Sequence, residues 1–127
     1  MKKSIAVLII IPFIICVSSY IQNNLIFTLS SKASASLTDI SEYVETGEFE
    51  GALSAYNNYR KKWEGKGRIL SYFISHDEID DIMIHNERLN AYLKTGNITD
   101  SMATIGELKE IYKELYNIFK VNLKNIL

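Results

Sequence analysis

Between Pro12 and Gly47 the chain contains neither proline nor glycine. These two residues are the ordinary terminators of helices, so their absence over so long a stretch restricts the fold strongly. The stretch opens inside an apolar run from Ile5 to Val17, softened by Ser18 and Ser19 and ending at Ile21, with Lys2 and Lys3 ahead of it. Beyond the run, apolar residues recur at Ile26, Leu29, Ala33, Leu37, Ile40 and Val44. Steps of three and four residues place them on one face of an α-helix. The pattern predicts a single rod that leaves the apolar segment and continues to about Thr46. The alternative is a loop through the serine-rich stretch at 30–36.

A helix rises about 1.5 Å per residue and a bilayer's hydrocarbon core is about 30 Å thick, so a span takes roughly 20 residues. Ile5 to Ile21 falls at the short end of that range. It suits an uncleaved anchor, and it also suits the apolar region of a cleaved signal peptide. Val17-Ser18-Ser19 has the small residues a signal peptidase needs. Ala33-Ser34-Ala35 fits the motif better but lies far from the apolar run. A lipoprotein site at Cys16 is excluded by the bulk of Ile15 before it. Two regions follow: residues 1–27, an N-terminal membrane anchor or signal segment, and residues 28–127, an extracytoplasmic helical domain. The positive-inside rule puts Lys2 and Lys3 in the cytoplasm and the C-terminal domain outside. All 15 Asp and Glu follow residue 27, against 14 Lys and Arg less Lys2 and Lys3, so the outer domain carries −3. No basic face for a polyanion is visible, and no nucleic-acid partner is expected.

The rest of the chain repeats one local frame. "YVETGEF" begins at Tyr43 and "YLKTGNI" at Tyr92. Each Thr-Gly reads as a helical-hairpin turn, in which glycine takes the left-handed conformation that ends a helix. Phe49, Ala52, Leu53, Tyr56, Arg60 and Trp63 form the stripe of the second helix. "EGKG" at 64–67 predicts a kink or a short break, followed by buried Ile69, Leu70, Phe73 and Ile74. Ser75 or Asp77 caps the third helix, with Ile79, Ile82, Met83, Leu89, Tyr92 and Leu93 as its stripe. Asn97 or Thr99 caps the last, with Ile98, Met102, Ile105, Leu108, Tyr112, Leu115 and Phe119. Two hairpins of similar rods predict an all-α fold: a transmembrane helix continuing into an up-down antiparallel bundle of about four helices. The fourth rod returns toward the membrane. Lys120, Leu123, Lys124, Ile126 and Leu127 then either touch headgroups or form a tail that is frayed or packed on the first helix.

Few residues carry chemistry. "HDEIDDIMIHNE" at 76–87 is the one dense group of metal-ligand types. His76 and Asp80 stand at i and i+4, as do Asp81 and His85, a spacing that a divalent metal can use. The duller reading is that the acids complement the helix N-terminus and that His76 caps or closes the turn against the bundle. No catalytic nucleophile, phosphate loop or paired-cysteine motif is present, so no enzyme activity and no cofactor are expected. Seven tyrosines lie beyond residue 27 (Tyr43, Tyr56, Tyr59, Tyr72, Tyr92, Tyr112 and Tyr116), read as core residues with hydroxyls at the boundary. "YRKKWEGKGR" at 59–68 is a local basic patch. Tyr59, Trp63, Tyr72 and His76 are the candidates for contact with a protein partner. Lipid is the partner of the N-terminal helix.

The chain resembles the small N-terminally anchored helical proteins of Gram-positive, often spore-forming bacteria grouped as domain-of-unknown-function family 4363. The resemblance rests on "MKK" with its apolar segment, "FEGALSAYNNYRKKW", "ILSYFISHDEIDDI", "RLNAYLKTGN" and the ending "VNLKNIL". Trp63, Phe73, His76, Asp80, Leu89, Tyr92 and Asn122 fall at the family's pattern, while "GKG" and "DSMATI" depart from it. The resemblance implies an anchored all-α protein and supplies no activity. The expectation is therefore a non-catalytic, membrane-anchored interaction module. The alternatives are a metal-binding protein at His76, Asp80, Asp81 and His85, or a cleaved bundle acting at the cell wall.

Overall fold

The computed structural model describes residues 2–72 and 74–126, with the side chains of all but residues 22, 23, 68 and 118–126. The expectations placed on Phe73, Phe119, Lys120, Asn122, Leu123, Lys124, Ile126 and Leu127 lie outside the described side chains. Among the described residues four helices follow one another: α1 (Lys2–Glu45), α2 (Phe49–Leu70), α3 (His76–Lys94) and α4 (Ile98–Ile126). Each packs against its neighbours in sequence, and α4 closes the ring against α1. The result is an up-down-up-down four-helix bundle, the arrangement that short connections between similar rods favour.

α1 runs 44 residues without interruption, through the serine-rich stretch and through Pro12. Pro12 removes one backbone donor, and the helix continues past it. The helix changes character halfway. Ile5, Leu8, Ile9, Phe13 and Ile14 are all exposed, whereas Ile26, Leu29, Ala33, Leu37, Ile40 and Val44 are all buried. α1 is one helix long and apolar enough to cross a membrane. The core starts at Ile26, which decides what each candidate cleavage would do. A cut after Ser19 spares the core, and a cut after Ala35 removes Ile26, Leu29 and Ala33 from it.

The two Thr-Gly frames make the same turn. Gly47 and Gly96 have φ of 75° and 68°. The amides of Gly47 and Glu48 donate to the carbonyls of Val44 and Tyr43 at 3.0 and 2.9 Å. Those of Gly96 and Asn97 donate to Leu93 and Tyr92 at 3.3 and 3.0 Å. Both turns are thus Schellman caps, with paired bonds that satisfy the last carbonyls of the helix. The hydroxyls of Thr46 and Thr95 bond back to carbonyls one turn earlier. A Cβ on Gly96 would lie 3.8 Å from the Phe49 ring, so the two turns are neighbours at one end of the bundle. Alanine at either glycine would keep the space but force a left-handed backbone, at about 1–2 kcal/mol. Gly47→Ala and Gly96→Ala should lower the urea midpoint by similar amounts.

Four expectations need correction. α2 crosses "EGKG" unbroken, and the Ser71 amide still donates to the Gly67 carbonyl at 3.0 Å. Two glycines cost about 1 kcal/mol each relative to alanine. Trp63 and Leu70, seven residues apart on one face, are both buried and hold the helix on either side of them. Because the helix does not break, Ile69 rotates off that face and is exposed. Met83 and Ile98 are exposed as well, and the buried row of α3 is Ile82, Asn86, Leu89 and Leu93. Of the candidate caps, Ser75 holds the N-cap position of α3 without a side-chain bond. At α4 it is Asn97 that caps: its Oδ1 accepts the Asp100 amide at 3.0 Å, and its Nδ2 donates to the Asp100 carboxylate at 2.7 Å.

Candidate functional site

The most organised polar group in the molecule is in its centre. Tyr56, Tyr59 and Trp63 enter from α2, Asn86 from α3 and Tyr112 from α4, and all five are buried. Helical spacing explains the convergence. Positions 56, 59 and 63 share one face of α2, and Asn86 occupies a core position of α3 between Ile82 and Leu89. The Tyr56 hydroxyl donates to the Asn86 backbone carbonyl at 2.9 Å. The Tyr59 hydroxyl donates to Asn86 Oδ1 at 2.8 Å and also meets the Tyr112 hydroxyl. Since Tyr59 has one proton, the Tyr112 hydroxyl is the donor in that second bond. The Trp63 and Tyr112 rings stand edge to face at 5.3 Å, and those of Tyr59 and Tyr112 at 6.5 Å. The hydroxyls therefore point inward and not to the boundary, contrary to the expectation from spacing alone.

Burial disfavours the phenolate, and the phenols resist ionisation accordingly. Tyr56 is pushed up to about 12 by burial, against the nearby charge of Arg60. Tyr59 and Tyr112 are raised further, again chiefly by burial. Above the usual tyrosine value near 10 the unfolded chain loses these protons while the folded chain keeps them. Folding stability should then be flat up to about pH 10 and fall toward pH 12, by about 1.4 kcal/mol per pH unit for each buried tyrosine. Denaturant titration across that range checks it, and Tyr56→Phe should reduce the slope.

The candidate metal ligands do not converge. His76 and Asp80 are exposed at the start of α3, and His76 is the first residue of that helix, outside the bundle interior. His85 lies nine residues on, half a turn around the helix from His76. Its Nδ1 faces the Asp81 carbonyl at 2.8 Å and the Asp81 carboxylate at 3.3 Å. Its Nε2 meets Glu107 on α4 at 3.0 Å. The ring thus links α3 to α4. Among the described residues no three His, Cys, Asp or Glu side chains are grouped to hold a metal.

Of the partner-contact candidates, Tyr59 and Trp63 belong to the central network but also reach the outside. They floor a groove of about 420 Å³ between α1 and α2, walled by Leu29, Lys32, Lys62 and Lys66. Tyr72 and His76 are exposed, at the α2–α3 turn and just after it. Asn86 is the residue that spacing arguments passed over. A polar residue in phase with Ile82, Leu89 and Leu93 was the available signal.

Comparison with curated proteins and with solved structures finds no match. Residues 20–126, from the end of the apolar run through all four helices of the bundle, match the family described as "Domain of unknown function (DUF4363)", and the chain belongs to that family.

Proposed function

We propose that this protein is a single-pass membrane protein whose bundle stands on the extracytoplasmic side and acts by binding a protein partner, without catalysis of its own. The observation that carries the reading is α1, one helix with a bare apolar half and a buried half. Apolar surface in water costs roughly 25 cal/mol per Å², and a bilayer relieves that cost for the whole exposed half. Lys2 and Lys3 at its outer end favour a cytoplasmic N-terminus. Three buried tyrosines bond within the core, and His85 is held between Asp81 and Glu107. This supports a binding role over an enzymatic one. The groove above Tyr59 and Trp63, with Lys32, Lys62 and Lys66 at its rim, offers a protein partner an aromatic floor and a basic edge.

Fractionation with protease protection tests the reading. The full chain with a C-terminal tag should stay with membranes through alkaline carbonate washing, and protease added outside intact spheroplasts should remove the tag. A tag that survives, or a chain released by carbonate, overturns it. A photo-crosslinker at Lys62 should capture one specific neighbour; recovery of background proteins alone overturns the partner claim.

A further inference from the structure

We infer that the α2–α3 turn is a second membrane contact, with Tyr72 and Ile69 seated in the interfacial layer of the leaflet through which α1 emerges. The inference rests on the anchored reading of α1 and extends it to a surface far away in sequence.

The register of the bundle puts the turn at that depth. α2 is 22 residues long, about 33 Å at 1.5 Å per residue. The same length measured back along α1 from Glu45 ends at Asn24. The groove between the two helices agrees with this alignment, since residues between Leu29 and Asp39 of α1 line it together with residues between Tyr59 and Lys66 of α2. Ser71 and Tyr72, which follow α2, are therefore level with the stretch from Tyr20 to Asn24, where the apolar run gives out. On the far side of the bundle the Phe27 ring, about one turn above Asn24, meets Tyr116 of α4 at 5.3 Å.

What the turn exposes fits an interface. Tyr72 is 85% exposed, Ile69 is 47% exposed, and Tyr20 on α1 at the same level is 69% exposed. Tyrosines concentrate where a bilayer meets water, because the ring prefers hydrocarbon and the hydroxyl prefers headgroups. Lys66 stands about one turn above, with an apolar stem long enough to reach down to phosphate level. Asp77, Glu78, Asp80 and Asp81 stand in the first turns of α3, so both signs of charge lie near that level. The contact is consequently driven by Tyr72 and Ile69 and does not depend on anionic lipid.

The test uses the full chain in phosphatidylcholine vesicles, with an environment-sensitive fluorophore on one cysteine at a time. Cys16 is the natural cysteine; the other sites are Ile69→Cys and Glu48→Cys in a Cys16→Ser background. The Cys16 label should be quenched by lipid spin-labelled deep in its chains. The Ile69→Cys label should shift to the blue and be quenched by lipid spin-labelled near its headgroup, and adding Tyr72→Ser should weaken that quenching. The Glu48→Cys label, at the far end of the bundle, should stay water-like. If position 69 behaves as position 48 does while Cys16 is quenched, the contact is refuted and the anchor stands. An unquenched Cys16 label overturns both. A shift at position 69 that appears only when phosphatidylglycerol is added refutes the apolar basis of the contact.

Discussion

Tyr112→Ala should destabilise the bundle by about 3–5 kcal/mol, the range for removing a large buried aromatic. Three losses add. The ring leaves a cavity against Trp63 and Tyr59, its two edge-to-face partners. The hydroxyl that joins Tyr59 disappears. Tyr112 is also the residue through which α4 reaches the Asn86 network from across the bundle. Single domains have only about 5–15 kcal/mol in total, so much of the fold's margin would go. Tyr112→Phe separates the terms. It keeps the ring and removes one donor, and should cost about 1 kcal/mol. Thermal unfolding of the full chain in detergent, followed by circular dichroism, reads both. If the two variants melt alike, the packing around the ring contributes little and the central network is not what holds α4.

A chain that begins at Ser36 should fail to unfold cooperatively, whereas one that begins at Tyr20 should melt as a folded bundle. The shorter chain lacks Ile26, Leu29 and Ala33, three members of the buried core, and loses Phe27 from its contact with Tyr116. Burial of a leucine or isoleucine is worth about 1.5–3 kcal/mol, so the loss is comparable to the whole stability of a small domain. The partners left on α2 and α4 would also be bared to water. Calorimetry of the two chains checks this. The result bears on processing as well: cleavage after Ala35 would destroy the bundle, and cleavage after Ser19 would release it intact.

Much of the candidate site was legible piecewise. His76 and Asp80 share a helix face as their spacing says, but His85 lies half a turn away and bonds to Glu107, a residue on another helix. Sequence spacing reports which residues share one face of one helix. It is silent on what the neighbouring helix presents. The same limit hid the role of Tyr59, which reads as a core tyrosine with its hydroxyl at the boundary until Asn86 and Tyr112 are brought to it from 27 and 53 residues away.

The four helices themselves were written locally. A stripe at steps of three and four fixed the buried face of α1, and Gly47 and Gly96 fixed two ends, because a left-handed backbone excludes a Cβ at low cost. The length of the apolar run was likewise local information. Other outcomes depended on tertiary contact. α2 stayed helical through Gly65 and Gly67 because buried Trp63 and Leu70 outweigh two small propensity costs. The tyrosine hydroxyls turned inward because Asn86, on another helix, supplies the acceptors that make their burial affordable. Hydrophobic period and backbone stereochemistry act within a few residues and can be read along the chain, whereas a buried polar group is settled by whatever the fold places opposite it.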